Sequence, residues 1–425
     1  MTSSEPSGTI LRHGKTKVIQ CRFEDRLTGE ARALSGFRTR ITARSAAELP
    51  AAFAAIEAAQ SAGHWVALML DYELGDWFEP SLQTSPRASS PASSSETQPA
   101  SKNLSKTAQH ARSRLTALVF DSATIEKPWG LSGLDQTKSK AATGTTPQAS
   151  ITSVTATLSQ EDYVKRIHKI KEWIAQGEVY QINSTFALNV STEGSAQALY
   201  RQLAYQHPSA HAAFIEDDEQ TILSFSPELF LQRTGTTLTT RPMKGTAPRS
   251  NDPIEDQQLG QRLQASEKDR AENLMIVDLL RNDLGRIAVP GTVIAEPLFS
   301  LEAYPSVWTM TSTIQATIAA HTSLEQILRA LFPCGSITGA PKIAAMKGIQ
   351  RTEIQPRGLY CGSLGWLAPN GDFSLNVAIR TLLLNQDGTG QYHVGGGIVN
   401  DSVAELEWNE CHWKARIVID RPASA

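Results

Sequence analysis

One lysine in this 425-residue chain stands where an amine could act as a nucleophile. Lys244 follows Pro242 by two residues and directly precedes Gly245, just after the alternating run 237–241. We therefore expect it at the end of a strand, at the mouth of the pocket that the strand reaches. In a dry site the amine would lose its charge more readily and attack carbon. A solvated lysine in a surface turn is the alternative, and this stretch by itself leaves it open.

A glutamate on a predicted helix faces apolar neighbours. Over 266–287 the helical spacing places Glu272 on the same face as Ile276 and Asp283. Carboxylates are rarely buried unless they are paired or bind a cation. Because Glu272 lies near the predicted helix start, it could instead stay solvated and interact with the helix dipole.

A second predicted helix, 403–418, repeats this pattern. Leu406, Glu410, Trp413 and Ile417 form one stripe at helical spacing, so we expect Glu410 to face the core. This interpretation again places an acid among apolar side chains.

Two charged neighbours extend this pattern. Glu407 precedes Glu410 by three residues and Lys414 follows it by four. A surface pair between Glu410 and Lys414 is one explanation. The other is that two helices direct carboxylates at a hard cation such as Mg²⁺, which binds one or two carboxylates together with water and anionic groups of a substrate.

Three further features favour anion binding. The stretch 335–342 is a glycine-containing loop that enters a predicted helix, where free backbone N–H groups can hold a carboxylate or phosphate. The glycines 395–397 follow a predicted strand and could present more N–H donors. Arg380 can hold a carboxylate through two parallel hydrogen bonds. Together they indicate a small dianion held by an arginine, backbone amides and a metal.

Composition excludes several function classes. The net charge of -3 offers no electrostatic footprint for nucleic acid or an anionic membrane. Apolar runs such as 274–277 are too short to span a bilayer. Cys21, Cys334, Cys361 and Cys411 show neither a CxxC pair nor zinc spacing, which indicates reduced thiols. With no signal-peptide pattern at the N-terminus, we expect a cytoplasmic protein.

The chain reads as an α+β protein in three parts. Strands and helices cluster without strict alternation, which argues against a doubly wound parallel sheet. We expect an N-terminal region over 1–125 with a disordered Ser/Pro-rich insert near 84–113, a polar linker or insert over 134–153, and the main domain over 159–420.

Five segments resemble signatures of the chorismate-utilising enzymes and occur in that family's order. They are residues 267–286, 335–342, 360–363, 378–381 and 395–410. The resemblance implies a large chorismate-binding fold, in which antiparallel sheets pack as a sandwich with helices outside.

Lys244 points to one branch of that family. The stretch 241–249 resembles the branch that makes 4-amino-4-deoxychorismate, for 4-aminobenzoate and folate biosynthesis, whereas anthranilate synthases usually carry alanine at the lysine position. The resemblance implies that Lys244 attacks ring carbon 2 of chorismate while Glu228 protonates the departing hydroxyl. The alternatives are an anthranilate synthase large subunit and an inactive paralogue that only binds an amidotransferase.

The resemblance also assigns ligands. Magnesium ligands are implied at Glu272 and Glu410, with Glu407 close by, and the positions that match the surroundings of the substrate are Arg380, Tyr360, Thr338, Gly396, Gly397, Lys414 and Gln181. Thr309 stands where many members carry histidine. Because the chain shows no glutamine-hydrolysing signature, we expect ammonia from a separate glutamine amidotransferase.

Overall fold

A computed structural model describes residues 19–83, 113–131, 149–304 and 307–419. These residues form an α+β fold in which every strand pairing is antiparallel, as the sequence predicts. The strands are β1 Gln20–Asp25, β2 Glu30–Ala43, β3 Trp65–Leu70, β4 Leu115–Glu126, β5 Ser150–Ala156, β6 Gln181–Glu193, β7 His211–Glu216, β8 Thr221–Ser226, β9 Leu229–Thr234, β10 Thr237–Arg241, β11 Met243–Pro248, β12 Ile294–Ala295, β13 Ser300–Ala303, β14 Val307–Thr311, β15 Ile314–Thr317, β16 Gly339–Ala340, β17 Ser363–Leu367, β18 Phe373–Val377, β19 Thr381–Leu384 and β20 Thr389–Ile398.

Seventeen of these strands form one continuous hydrogen-bonded ladder. Its order is β5–β6–β20–β19–β8–β7–β1–β2–β4–β3–β17–β18–β9–β10–β15–β12, with β16 also paired to β6. Strands β8 and β9 are consecutive in sequence but far apart in this order. The ladder must therefore fold back on itself, which agrees with the layered arrangement that the resemblance implies. A separate sheet contains β11, β14 and β13.

Both faces of the central strands are buried. In β3, Val66, Leu68 and Leu70 belong to the larger core, while Ala67 and Met69 belong to a smaller core on the opposite face. Successive side chains of a strand point to opposite faces, so a strand covered on both sides reads as an unbroken apolar run. This accounts for the absence of a polar–apolar alternation in β3.

The helices are α1 Leu49–Ser61, α2 Gly75–Phe78, α3 Pro80–Gln83, α4 Gln160–Ala175, α5 Ala196–Gln206, α6 Pro253–Ala265, α7 Glu267–Gly285, α8 Leu324–Leu331, α9 Lys342–Thr352, α10 Ala404–Lys414 and α11 Arg416–Ile419. Serine side chains cap α4 and α7: the Ser159 side chain accepts from the Asp162 backbone N–H, and the Ser266 side chain accepts from that of Asp269. Helix α7 therefore begins where the sequence predicts.

Two runs with the apolar pattern of a single strand are each divided in the structure. The run 221–232 divides at Pro227 into β8 and β9, and the run 372–384 divides into β18 and β19. In both cases the chain leaves one part of the ladder and enters another. A strand-like pattern persists across such a crossing because the residues on either side of it are buried, so hydrophobicity alone does not locate the break.

Most of the two predicted polar segments lies outside the residues that the structure describes. Of the proposed insert near 84–113, residues 84–112 lie outside the described residues, as do residues 134–148 of the proposed linker. Residues 150–153 of that linker belong to β5. Strands β1 to β4 of the N-terminal region share the ladder with strands from 159–420.

A buried ion pair joins several elements beneath the loop 357–362. Arg357 Nε and Nη2 lie 2.8 Å from the Glu353 carboxylate, and the two side chains are 2% and 7% exposed. Arg357 also donates to the carbonyls of Ile337 and Asn183, at 3.0 and 2.9 Å. Glu353 accepts from the Thr185 backbone N–H at 2.9 Å. The pair therefore fixes β6, the turn before β16 and α9 relative to one another.

Removal of one partner should leave the other charge buried and unpaired. We predict that Glu353→Ala lowers the free energy of unfolding by about 3 kcal/mol, measured by urea denaturation. Glu161→Ala is the matched control, since the Glu161–Lys165 pair is solvent-exposed and its loss should leave the urea midpoint in place. Equal midpoints for the two variants would contradict the role given to the buried pair.

Candidate active site

Glu228 and Arg380 lie in two short connections that join strands distant from each other in the ladder. The β8–β9 crossing contains Glu228, whose carbonyl accepts from the Val377 backbone N–H at 3.0 Å. The β18–β19 crossing contains Arg380, whose carbonyl accepts from the Phe225 backbone N–H at 3.0 Å and whose φ is 50°. These reciprocal bonds hold the two crossings against each other. An acid and a guanidinium that are distant in sequence are thereby placed in one site.

Lys244 lies on a β-bulge. It was expected at the end of a strand, but it belongs to the following strand β11, where the pairing with β14 shifts between Met243 and Thr246. Gly245 in this bulge has φ 82°, a conformation that glycine adopts readily. The Thr309 hydroxyl donates to the Gly245 carbonyl at 3.2 Å. Thr309 therefore contacts the backbone next to Lys244.

A cavity of about 410 Å³ brings most of the predicted site residues together. Ten of the twelve line it: Lys244, Glu228, Glu272, Glu407, Glu410, Arg380, Tyr360, Gly396, Gly397 and Lys414. Thr309 lines it as well. The convergence of strands, crossings and two helices on this volume makes it the candidate site.

Gln181 and Thr338 do not line the cavity. Gln181 is fully buried, and its amide nitrogen lies directly behind Gly397. Neither polar atom of that amide has a hydrogen-bond partner among the described residues. The Thr338 hydroxyl donates to the carbonyls of Cys334 and Gly335, at 3.2 and 3.0 Å, so it stabilises a turn.

The carboxylates of helix α10 converge above Gly396. A Cβ atom at Gly396 would lie 3.2 Å from Glu407 Oε2, a tight contact, and 3.9 Å from Glu410 Oε1, an ordinary one, so both carboxylates lie close to this glycine. The predicted surface alternative is also present: Lys414 Nζ lies 2.7 Å from Glu410 Oε1. Ser402 donates to Glu407 Oε1 at 2.7 Å.

The expected core-facing stripe on α10 is wrong. Leu406 and Trp413, which share the predicted stripe with Glu410, are 64% and 65% exposed. The helix buries Ala404 and Cys411 instead. Small residues form the packed face, so counting large apolar residues selected the opposite side. Glu410 still reaches the cavity, from its rim.

Burial sets the charge of the two candidate reacting groups. Burial lowers the pKa of the Lys244 amine, although the facing carboxylates, Glu272 foremost, act in the opposite direction. Burial likewise raises the pKa of Glu228 to about 7, while a hydrogen bond from Ser336 acts to lower it. Both shifts favour the uncharged form of the group, a neutral amine at Lys244 and a protonated carboxyl at Glu228.

The pKa values of the two acids on helix α10 shift in opposite directions. Burial raises the pKa of Glu407. Burial acts in the same direction on Glu410, but the Lys414 ammonium holds the pKa of that carboxyl below its usual value. Within the described ranges, no group of three or more His, Cys, Asp or Glu side chains is clustered closely enough to bind a metal ion by itself. The oxygens of Glu407 and Glu410 still suit a hard cation that takes its remaining ligands from water and substrate.

Comparison with known proteins identifies the family. The profile of the chorismate binding enzymes matches residues 8–420. The chain belongs to the chorismate binding enzyme family. The resemblance seen in the sequence is confirmed, and the cavity lies within the matched region.

Two relatives show how far the similarity extends. Aminodeoxychorismate synthase component 1 of Klebsiella aerogenes is 42% identical over 264 residues, which cover 62% of this chain and 58% of that protein. Anthranilate synthase component 1 of Streptomyces coelicolor is 37% identical over 266 residues, covering 62% of this chain and 52% of that protein. The chain therefore matches less than two thirds of the length of either relative.

A solved structure shows the same fold. The menaquinone-specific isochorismate synthase of Escherichia coli superposes with a TM-score of 0.69 at 18% identity, over 96% of this chain and 90% of that one. At this identity the likeness extends to the fold alone. In the part of the chorismate binding enzyme that the structure describes, no helix is long and apolar enough to cross a membrane.

Several polar residues that line the cavity were not predicted from the sequence, and Ser336 is one of them. Ser336 lines the cavity, and its hydroxyl donates to Glu228 Oε1 at 2.7 Å across 108 positions of sequence. The sequence pattern of 335–342 indicates backbone N–H donors and assigns no role to the Ser336 side chain. No local pattern links a serine after a glycine to a distant acid, so only the folded chain shows the contact.

Proposed function

We propose that this chorismate binding enzyme converts chorismate and ammonia to 4-amino-4-deoxychorismate. The observation that carries the proposal is a half-buried lysine, with its pKa lowered, in the same cavity as a buried glutamate with a pKa of about 7. A reaction that substitutes an amino group for a hydroxyl needs both a nucleophile and an acid for the poor leaving group. The 42% identity to a relative named aminodeoxychorismate synthase component 1 supports it.

In the first step the neutral Lys244 amine bonds to ring carbon 2. The ring electrons shift and the bond from carbon 4 to its hydroxyl breaks. Glu228 gives its proton to the departing oxygen, which leaves as water. A positioned acid contributes about 10²–10⁴-fold to such a step.

In the second step ammonia bonds to carbon 4 and the electrons shift back. The bond from carbon 2 to Lys244 breaks, which restores the free amine. A proton from the new ammonium group returns to Glu228. Chorismate and ammonia are thus consumed, and aminodeoxychorismate and water are formed, with both side chains regenerated.

The substrate carboxylates require cationic partners. We assign Arg380 and Lys414, together with the backbone at Gly396 and Gly397, to hold them, and Tyr360 to line the ring. Thr338 and Gln181 do not line the cavity, and they would support from behind the residues that bind the substrate.

Mg²⁺ would be held by Glu272 and Glu410, with Glu407 nearby, across the same cavity. When bound, the ion would neutralise a substrate carboxylate and orient the ring.

We further propose that ammonia reaches the site from a separate glutamine amidotransferase. The name "component 1" of the similar proteins supports a partner subunit. Formation of anthranilate is the rival activity, since a relative of that name is 37% identical. Lys244 distinguishes the two reactions, because anthranilate formation needs no nucleophilic side chain in addition to ammonia.

Product analysis tests the proposed reaction. Incubation with chorismate, ammonium and Mg²⁺ should yield aminodeoxychorismate, identified by mass spectrometry. Lys244→Ala should reduce this rate on the order of 10³-fold or more, as expected when a nucleophile is removed. Lys165→Ala, which changes an exposed lysine of α4, is the control and should leave the rate unchanged. Anthranilate with pyruvate as the product, or full activity of Lys244→Ala, would refute the proposal.

Metal dependence tests the assignment of Glu272. Glu272→Gln should raise the Mg²⁺ concentration for half-maximal activity by at least about tenfold, because a charged ligand is lost. Glu267→Gln is a matched control on the same helix, since Glu267 is exposed and does not line the cavity. If both variants titrate with Mg²⁺ as the parent does, Glu272 is not a ligand.

A further inference from the structure

The acid of the proposed reaction is held by a chain of two small polar side chains. Ser336 Oγ lies 2.7 Å from Glu228 Oε1 and 3.2 Å from Cys334 Sγ. All three residues are buried, with exposures of 6%, 4% and 3% for Ser336, Glu228 and Cys334. A hydrogen bond in such surroundings is stronger than one in water, and its loss leaves a buried group unsatisfied.

The direction of this chain follows from protonation. Burial raises the pKa of the Cys334 thiol to about 12, so the thiol stays protonated and can donate to Ser336 Oγ. The hydrogen of the serine hydroxyl is then free to be donated to Glu228 Oε1. A carboxyl oxygen that already accepts this hydrogen bond is the poorer site for the acidic proton, which leaves Oε2 as its place.

The backbone holds Ser336 rigidly. It lies in a short 3₁₀ helix, Gly335–Ile337. The Ile337 carbonyl accepts a hydrogen bond from Arg357 Nη1 at 3.0 Å. The buried Arg357–Glu353 pair thus anchors the turn that carries Ser336. Such support from a second layer of contacts is what a positioning side chain needs.

We propose that Ser336, backed by Cys334, is a positioning residue for the general acid: it holds Oε1 of Glu228 and thereby keeps the transferable proton on Oε2. This inference rests on the proposed function for the role of Glu228 as an acid. The hydrogen-bonded chain itself can be tested without turnover.

Titration of the Glu228 carboxyl gives a readout that is independent of activity. Its C=O stretch is followed by infrared difference spectroscopy on the full chain, with Glu228→Gln to assign the band. Ser336→Ala removes a donor to the carboxylate, so the charged form is less favoured and Glu228 should titrate roughly one pH unit higher. Ser336→Thr retains the hydroxyl and should titrate with the parent. Cys334→Ala should produce a smaller rise, because the serine hydroxyl becomes less constrained.

Kinetics then separate positioning from binding. In Ser336→Ala we expect kcat for aminodeoxychorismate formation to fall by about tenfold while KM changes by less than about threefold, with recovery in Ser336→Thr. Unchanged titration in Ser336→Ala, or equal shifts in Ser336→Ala and Ser336→Thr, would overturn the inference. If Ser336→Ala does not fold, Cys334→Ala decides, and the inference fails if that variant titrates as the parent does. Absence of the product with the titration shift intact would overturn only the proposed function.

Discussion

Partial burial of the Lys244 side chain in a cavity lined by carboxylates is the constraint on which the site depends. Two effects compete there, since Glu272 and Glu228 favour the charged ammonium while removal of water disfavours it. The net pKa is lowered, so desolvation outweighs the facing acids. An exposed lysine would remain charged at neutral pH and could not attack carbon. The bulge at Gly245, whose carbonyl accepts from the Thr309 hydroxyl, is the local structure that places this amine in the cavity.

The topology explains why acid, amine and arginine meet. The ladder folds back on itself, and two of the places where the chain crosses between its parts contain Glu228 and Arg380. Residues at such crossings lack regular strand partners and can point into the space between the layers. Helices α7 and α10 bring Glu272 and Glu410 to the same space from outside the sheet. A rigid framework thus supports groups whose own backbone is irregular, as is common at functional sites.

Local signals in the sequence carried part of this arrangement. The capping serines Ser159 and Ser266 satisfy N–H groups within their own first turn, so their helices could be predicted to within a residue or two. The packed face of α10 could not be predicted in this way, because small residues such as Ala404 and Cys411 form it. The contact of Ser336 with Glu228 depends on the whole ladder and leaves no mark in either segment. Motifs identified most of the predicted cavity residues, but their positions relative to one another could be seen only in the folded structure.

Trapping of a covalent adduct tests the central claim, that Lys244 is the nucleophile of this cavity, most directly. The protein is incubated with chorismate and Mg²⁺ in the absence of ammonia, and intact-protein mass spectrometry with peptide mapping follows. The account predicts a species heavier by chorismate less one water, located on Lys244. A chain that gains no such mass, or that carries it on the neighbouring cavity lysines Lys268 or Lys414, would contradict it.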